Sequence, residues 1–238
     1  MSMLEARELS VRFGGHMAVD AVDLDVDAGQ IIGLIGPNGA GKTTTFNVLT
    51  GLQVPTRGKV SLEGRDITKV AAHKRARLGL ARTFQRLELF GTLTVRENIR
   101  VATTAGPRRN RARRTDEIIE RLALGDVADQ RADALSTGAG RVVELGRCLA
   151  SAPSVVLLDE PASGQDEHET ARFATVLREL AADGIAILLV EHDMELVMDV
   201  CDQLHVLDFG RTIATGTPDE IRADPAVQAA YLGEAVEP

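Results

Sequence analysis

Apolar and polar positions alternate through Leu9, Val11 and Phe13, break at Gly14-Gly15, and alternate again as Val22, Leu24 and Val26 against Asp23, Asp25 and Asp27. A period of two predicts half-buried antiparallel strands, the second with an acidic outer face suited to a solvated edge. Residues 31–35, 155–158 and 185–190 are continuous apolar runs instead, the pattern of central parallel strands buried on both faces. Helical signals fall between the runs: 44–50 closing at Gly51, 69–77, the capping box Thr94-Val95-Arg96-Glu97, and a helix after Ser136 with Val142, Leu145 and Leu149 on one face. Residues 167–181 carry Phe173, Val176, Leu177 and Leu180 at helical spacing, Val60 and Leu62 follow a turn at 55–58, and 204–213 reads as a hairpin. Thr217-Pro218-Asp219-Glu220 opens a helix, and a second short one is expected over 225–232.

The order of these elements predicts an α/β fold with a mostly parallel central sheet and an N-terminal antiparallel β subdomain. The expected division is one domain in two lobes, with residues 1–85 and 151–238 as the core lobe and 86–150 as an inserted α-helical lobe.

One stretch between a strand and a helix carries specific chemistry. GPNGAGKT, residues 36–43, fits G-x-x-x-x-G-K-[ST] at every fixed position, with the run 31–35 before it and a helix after it. Gly36, Gly39 and Gly41 let the backbone of Pro37, Asn38 and Ala40 turn N–H groups onto a phosphate chain at the positive end of the helix that contains Thr44. Lys42 is a point charge for the terminal phosphates, and the Thr43 hydroxyl is placed to ligate Mg²⁺. The segment predicts a P-loop nucleotide site.

Composition limits what surrounds that loop. A chain of 238 residues, 44% hydrophobic, buries a substantial core, and 35 acidic against 27 basic side chains (net −8) argue against a surface built for nucleic acid. Cys148 and Cys201 stand alone, which fits small core residues in a reducing compartment. No apolar run approaches the ~20 residues that span a bilayer, and MSMLEARELS lacks signal-peptide architecture, so any membrane role is expected to run through a partner.

Other residues add to the picture. The run 155–158 ends in Asp159-Glu160, two carboxylates that are costly on a buried strand unless metal or water answers them. Asp159 suits a Mg²⁺ shell and Glu160 suits an attacking water. The last apolar run delivers His192, whose ring suits a polar contact to a γ-phosphate or water. Ser136, as N-cap of a helix carrying Gly138, makes a second helix start able to meet phosphate, or an ordinary capped helix. Phe13 is either core filler or a stacking surface. Arg108, Arg109, Arg111, Arg113 and Arg114 read as a solvated loop and helix start with Thr115 as N-cap; a partner's acidic loop or lipid headgroups are the sharper alternatives. Asp208-Phe209-Gly210 matches a kinase motif by accident, since no H-R-D catalytic loop accompanies it.

In this order the motifs resemble the nucleotide-binding subunits of ABC transporters across essentially the whole chain: GPNGAGKT as phosphate loop, Gln85 as Q-loop, LSTGAGR as signature, VVLLDE as second nucleotide motif, SGQD as D-loop and His192 as switch histidine. RFGGHMAVD, LARTFQRLELF, LLVEHDMELVMDVCD and AYLGE look most like the ATPases of branched-chain amino acid importers. The resemblance implies two subunits, identical or paralogous, sandwiching two ATP molecules, each phosphate loop facing the partner subunit's signature serine and glycine, here Ser136 and Gly138. It implies adenine stacking by Phe13, Mg²⁺ bound through Thr43, Gln85 and Asp159, catalysis by Glu160 with His192 and Gln85, and transmembrane permease subunits that hold the chain on the inner face of the membrane. A solute-binding protein would act indirectly. Two positions depart from the family: Ala139 stands where the signature usually has Gln, and Gln165 where the D-loop usually has Leu. A soluble ABC ATPase, or an importer ATPase for another small polar solute, is the alternative; a GTPase would share the phosphate loop but not LSTGAGR or His192.

Overall fold

The computed structural model describes residues 2–106 and 110–232. The two alternating segments form β1 (Ser2–Phe13) and β2 (His16–Asp27), paired antiparallel through the Gly14-Gly15 turn. The central run is β3 (Ile31–Ile35), followed by α1 (Lys42–Thr50), β4 (Arg57–Leu62) and the short β5 (Arg65–Asp66). After these come α2 (Ala72–Arg77), β6 (Leu80–Arg82), α3 (Val95–Ala102), α4 (Arg111–Arg121) and α5 (Thr137–Ala150). The chain closes with β7 (Val155–Asp159), α6 (Glu167–Ala182), β8 (Ala186–Val190), α7 (Met194–Val200), β9 (Gln203–Asp208), β10 (Arg211–Gly216), α8 (Pro218–Ala223) and α9 (Pro225–Leu232).

Two sheets result. One is antiparallel in the order β2-β1-β4-β5, which puts β2 and its exposed Asp23 and Asp25 at an edge, as their alternation predicts. The other runs β10-β9-β3-β8-β7-β6 and is parallel except at the β9–β10 hairpin. Its central strands are apolar throughout because each face meets a different core. Ile31, Ile35, Val156, Leu158, Ile187 and Leu189 point into a cluster with α3 to α6, while Ile32, Leu34, Val155, Leu157 and Leu188 point into a cluster with the antiparallel sheet and α1. Successive side chains take opposite faces, so a slip of one residue would exchange the two cores.

Capping chemistry sets several helix starts. Thr94 and Glu97 exchange reciprocal bonds at α3, Asp166 and Glu169 at α6, and Thr217 and Glu220 at α8, where Pro218 occupies the first turn. Three readings of the sequence need correction. The three-residue strand β6 was not foreseen; its Leu80 and Ala81 are too short a run to show a period. The α2 helix starts at Ala72 rather than 69. Thr115 caps nothing: α4 begins at Arg111 behind Asn110, and the buried Thr115 hydroxyl donates to the Arg111 carbonyl at 3.1 Å inside the helix. Arg108 and Arg109 lie outside the described residues.

Candidate active site

The phosphate loop joins β3 to α1 at the carboxyl edge of the parallel sheet, where open α/β sheets place ligands. Gly36, Gly39 and Gly41 all take positive φ. At Gly41 (φ +101°) a Cβ would also stand 2.6 Å from the Ala18 carbonyl oxygen, so both conformation and space demand glycine. No side chain caps the start of α1 and no acid lies in its first turn, which leaves its N–H groups facing the loop. Lys42 is buried, its ammonium donating to the carbonyls of Gly36 and Pro37.

Phe13, Asn38, Gly39, Ala40, Gly41, Lys42, Thr43, Thr44, Gln85, Glu160 and His192 line one cavity of about 360 Å³, so residues from 13 to 192 in the chain converge. Gly36 and Pro37 form the loop behind it. Phe13 is half exposed at 51%, which excludes the core-filler reading. Glu160 follows β7 with φ +49°, a left-handed conformation uncommon for a carboxylate residue, pinned by its N–H to the Val190 carbonyl at 2.8 Å. That turn aims the carboxylate at Gln85 Nε2, 3.2 Å from both oxygens, and at His192 Nε2, 3.0 Å from Oε1. Asp159 lies deeper, 4% exposed, with Oδ2 held by Arg82 at 2.8 Å.

Ser136 and Gly138 do not line this cavity. Ser136 Oγ accepts from Ala139 N at 3.2 Å as the cap of α5, and a Cβ on Gly138 would collide with the Glu169 carboxylate of the same chain. The D-loop departure also has a structural mark: Gln165 Nε2 donates to the Pro161 carbonyl at 3.2 Å, but its buried Oε1 has no partner among the described residues.

The sequence reading missed four residues that support the site. Arg141 on α5 is buried and donates to the carbonyls of Phe84 (2.7 Å) and Gln85 while pairing with Glu144 at 3.0 Å, which ties the Ser136 helix to the Gln85 loop. Burial raises the Glu144 carboxyl above its ordinary range, against the opposing pull of Arg141. Glu191, likewise pushed up by burial, accepts from Ala162 N at 2.7 Å and His192 N at 3.0 Å, so it braces both loops beside Glu160. Arg75, fully buried, donates to the Val48 and Leu49 carbonyls at 2.8 and 2.7 Å and so closes the far end of α1; desolvation brings its pKa down to about 10. Arg82 is the fourth. Cys148 and Cys201 are core residues whose thiols burial pushes up to about 12, which leaves them unreactive.

Behind Gln85 a second cavity of about 360 Å³ runs between α2, β6 and α5, with Leu52, Ala76, Phe84 and Arg147 in its walls. Among the described residues no helix is long and apolar enough to cross a membrane.

Comparison with known proteins places these features together. The family model described as ABC transporter matches residues 19–163, and a second, described as Branched-chain amino acid ATP-binding cassette transporter, matches residues 211–237. The chain is 40% identical, over 98% of both chains, to the high-affinity branched-chain amino acid transport ATP-binding protein BraF of Pseudomonas aeruginosa. It is 38% identical, again over 98% of both, to the lipopolysaccharide export system ATP-binding protein LptB of Haemophilus influenzae. A crystal structure of a nucleotide-free ATP-binding cassette from an ABC transporter superposes with a TM-score of 0.89 at 30% identity, covering 97% of this chain and 99% of that one.

Proposed function

The chain belongs to the ABC transporter ATP-binding family, and from that premise we propose that it is the ATP-hydrolysing subunit of an importer for branched-chain amino acids, working as a dimer with transmembrane permease partners. The observation that carries the choice of solute is the match of residues 211–237 to the branched-chain family model, beside the 40% identity to a branched-chain amino acid transport ATP-binding protein.

The geometry supports an assignment of roles. Phe13 offers a ring face to adenine at the mouth of the cavity. The loop 36–43 and the uncapped start of α1 bind the phosphates, and the Lys42 ammonium exchanges its carbonyl partners for phosphate oxygens. Thr43 on the cavity wall and Asp159, buried directly before the wall residue Glu160, are hard oxygen donors, which fits Mg²⁺ arriving with the nucleotide, and Gln85 would complete its surroundings. When bound, that ion supplies charge neutralisation on the phosphates.

Glu160 takes the proton from a water as the water oxygen bonds to the γ-phosphorus and the bond to the β–γ bridging oxygen breaks, releasing ADP and phosphate. Gln85 and His192 hold the carboxylate in place, and His192 can turn to the γ-phosphate because its ring is half exposed. Ser136 and Gly138 do not line the cavity, so in this reading they serve the nucleotide of the second subunit. Residues 86–150 then form the lobe that presents them, while 1–85 and 151–238 hold the nucleotide. The groove beside Gln85 is where a permease segment would dock, which holds the chain at the inner face of the membrane; a solute-binding protein would act through that permease.

Uptake of labelled leucine, isoleucine and valine by cells with and without this chain tests the reading. Loss of uptake restored by the wild-type chain supports it, and unchanged uptake of all three contradicts it.

A further inference from the structure

Arg82 is the last residue of β6 and stands between Asp159 and helix α1. Its guanidinium is nearly closed off from solvent (8% exposed), and each edge is committed. Nη2 donates to Asp159 Oδ2 at 2.8 Å, and Nη1 to Asn47 Oδ1 at 2.7 Å and Thr50 Oγ1 at 3.2 Å on α1. Nε donates to the Thr83 carbonyl at 3.2 Å, and the cation lies 5.1 Å from the Phe84 ring centre and 5.6 Å from that of Phe46. Asp159 is fixed from the backbone side as well, its N–H donating to Thr83 Oγ1 at 3.1 Å, while its Oδ1 accepts no hydrogen bond among the described residues. The carboxylate is therefore half committed: one oxygen serves a buried cation and the other is left over.

We propose that Arg82 is a positioning residue that fixes the Asp159 carboxylate and sets its strength as a partner for the Mg²⁺ of the bound nucleotide. The inference rests on the reading of Asp159 as the residue on the metal side of the site. Two buried charges in contact satisfy one another, so the guanidinium lowers the attraction that Asp159 exerts on a second cation. Its place does not depend on Asp159 alone, because Asn47 and Thr50 hold Nη1 and the Thr83 carbonyl holds Nε. The ion pair thus holds one Asp159 oxygen in place and would make the carboxylate a restrained ligand. A neutral side chain of similar length at position 82 leaves an uncompensated buried carboxylate, which a divalent cation then answers more strongly. Arg82 also lines the groove behind Gln85, so this restraint sits in the wall of the proposed docking surface.

The test is a titration of Mg²⁺ into protein with bound fluorescent ADP, read as nucleotide affinity rather than turnover. Arg82→Met should bind the nucleotide in EDTA within about twofold of wild type and reach half-saturation at roughly tenfold lower Mg²⁺, the scale of one charged neighbour. Arg82→Lys should restore the wild-type requirement, which a purely structural role of the long apolar stem would not explain. If Arg82→Met does not fold, Asn47→Asp asks the same question from the other edge: a second carboxylate beside Nη1 draws charge from the guanidinium and should lower the half-saturating Mg²⁺. An unchanged or higher requirement in the folded variant, with Asp159→Asn raising it through loss of the carboxylate ligand, overturns the proposal. An unaltered requirement in Asp159→Asn overturns the reading of Asp159 beneath it.

Discussion

Replacing Arg141 with Met should destabilise the protein by ~3 kcal/mol at pH 7, by a mechanism that pH exposes. Arg141 and Glu144 are each only 6% exposed in side-chain terms and lie 3.0 Å apart. Removing one partner of such a pair costs ~3–5 kcal/mol when the other must stay charged. Glu144 has an escape: it can take a proton. Starting from an ordinary carboxyl value of 4.5, neutralising it at pH 7 spans 2.5 pH units, or ~3.4 kcal/mol, which caps the penalty. The carbonyls of Phe84 and Gln85 lose a charged donor too, but each residue lines a solvent-filled cavity from which water can replace it. At pH 5 the same neutralisation costs only ~0.7 kcal/mol. The folded pKa of Glu144 is raised above its unfolded value, so the associated stability is present at low pH and is lost as pH rises through the folded value, most steeply in the variant. Urea unfolding of wild type, Arg141→Met and Arg141→Met/Glu144→Leu at both pH values measures this. The double variant should recover most of the loss. A loss under ~1 kcal/mol at pH 7, or one equal at pH 5 and pH 7, would refute the assignment of Arg141–Glu144 as a buried pair.

Three further outcomes are expected. Phe13→Ala should weaken ATP and GTP alike by ~1–2 kcal/mol, since stacking reads a ring face and not a base edge; strong rejection of GTP by the wild type would contradict this. Ser136→Ala should depress ATP-driven dimerisation and steady-state turnover clearly, whereas Ala139→Gln should alter turnover only a few-fold, the scale of one hydrogen bond of ~1 kcal/mol; a hundredfold gain from Ala139→Gln with no effect of Ser136→Ala would reverse the assignment. Burial holds the His205 imidazole below its ordinary 6.5, so the stability tied to its neutral form is present above that value and is lost as pH falls through the folded one. The urea midpoint of wild type should therefore lose ground against His205→Leu between about pH 7.5 and 5, and a constant difference would sink the idea.

The parts legible in the sequence were those whose signal is local. The run 31–35, the glycine spacing 36–41 and the capping pairs Thr94–Glu97 and Thr217–Glu220 each lie within a few residues and became β3, the phosphate loop, α3 and α8. Asp159-Glu160 and His192 were visible as polar residues at the ends of apolar strands, an expense that a fold tolerates where the site needs it. The supporting arginines were not visible. Arg75, Arg82 and Arg141 find their partners 26, 77 and 57 residues away in the chain, so no local spacing marks them. Thr115 failed for the opposite reason. It has the composition of an N-cap with acids behind it, but the chain had already entered α4 four residues earlier, and its hydroxyl turned back onto the helix.

Steady-state phosphate release by Glu160→Gln measures hydrolysis at Glu160, the step that the proposed transport cycle requires. The left-handed turn after β7 should tolerate the isosteric amide, so nucleotide binding and fold should persist while the proton acceptor is lost. Turnover should fall ~10²–10⁴-fold, a barrier increase of roughly 3–5 kcal/mol, with an ATP-bound dimer accumulating on size-exclusion chromatography. Turnover near the wild-type rate, with no accumulated dimer, would remove Glu160 from the chemistry.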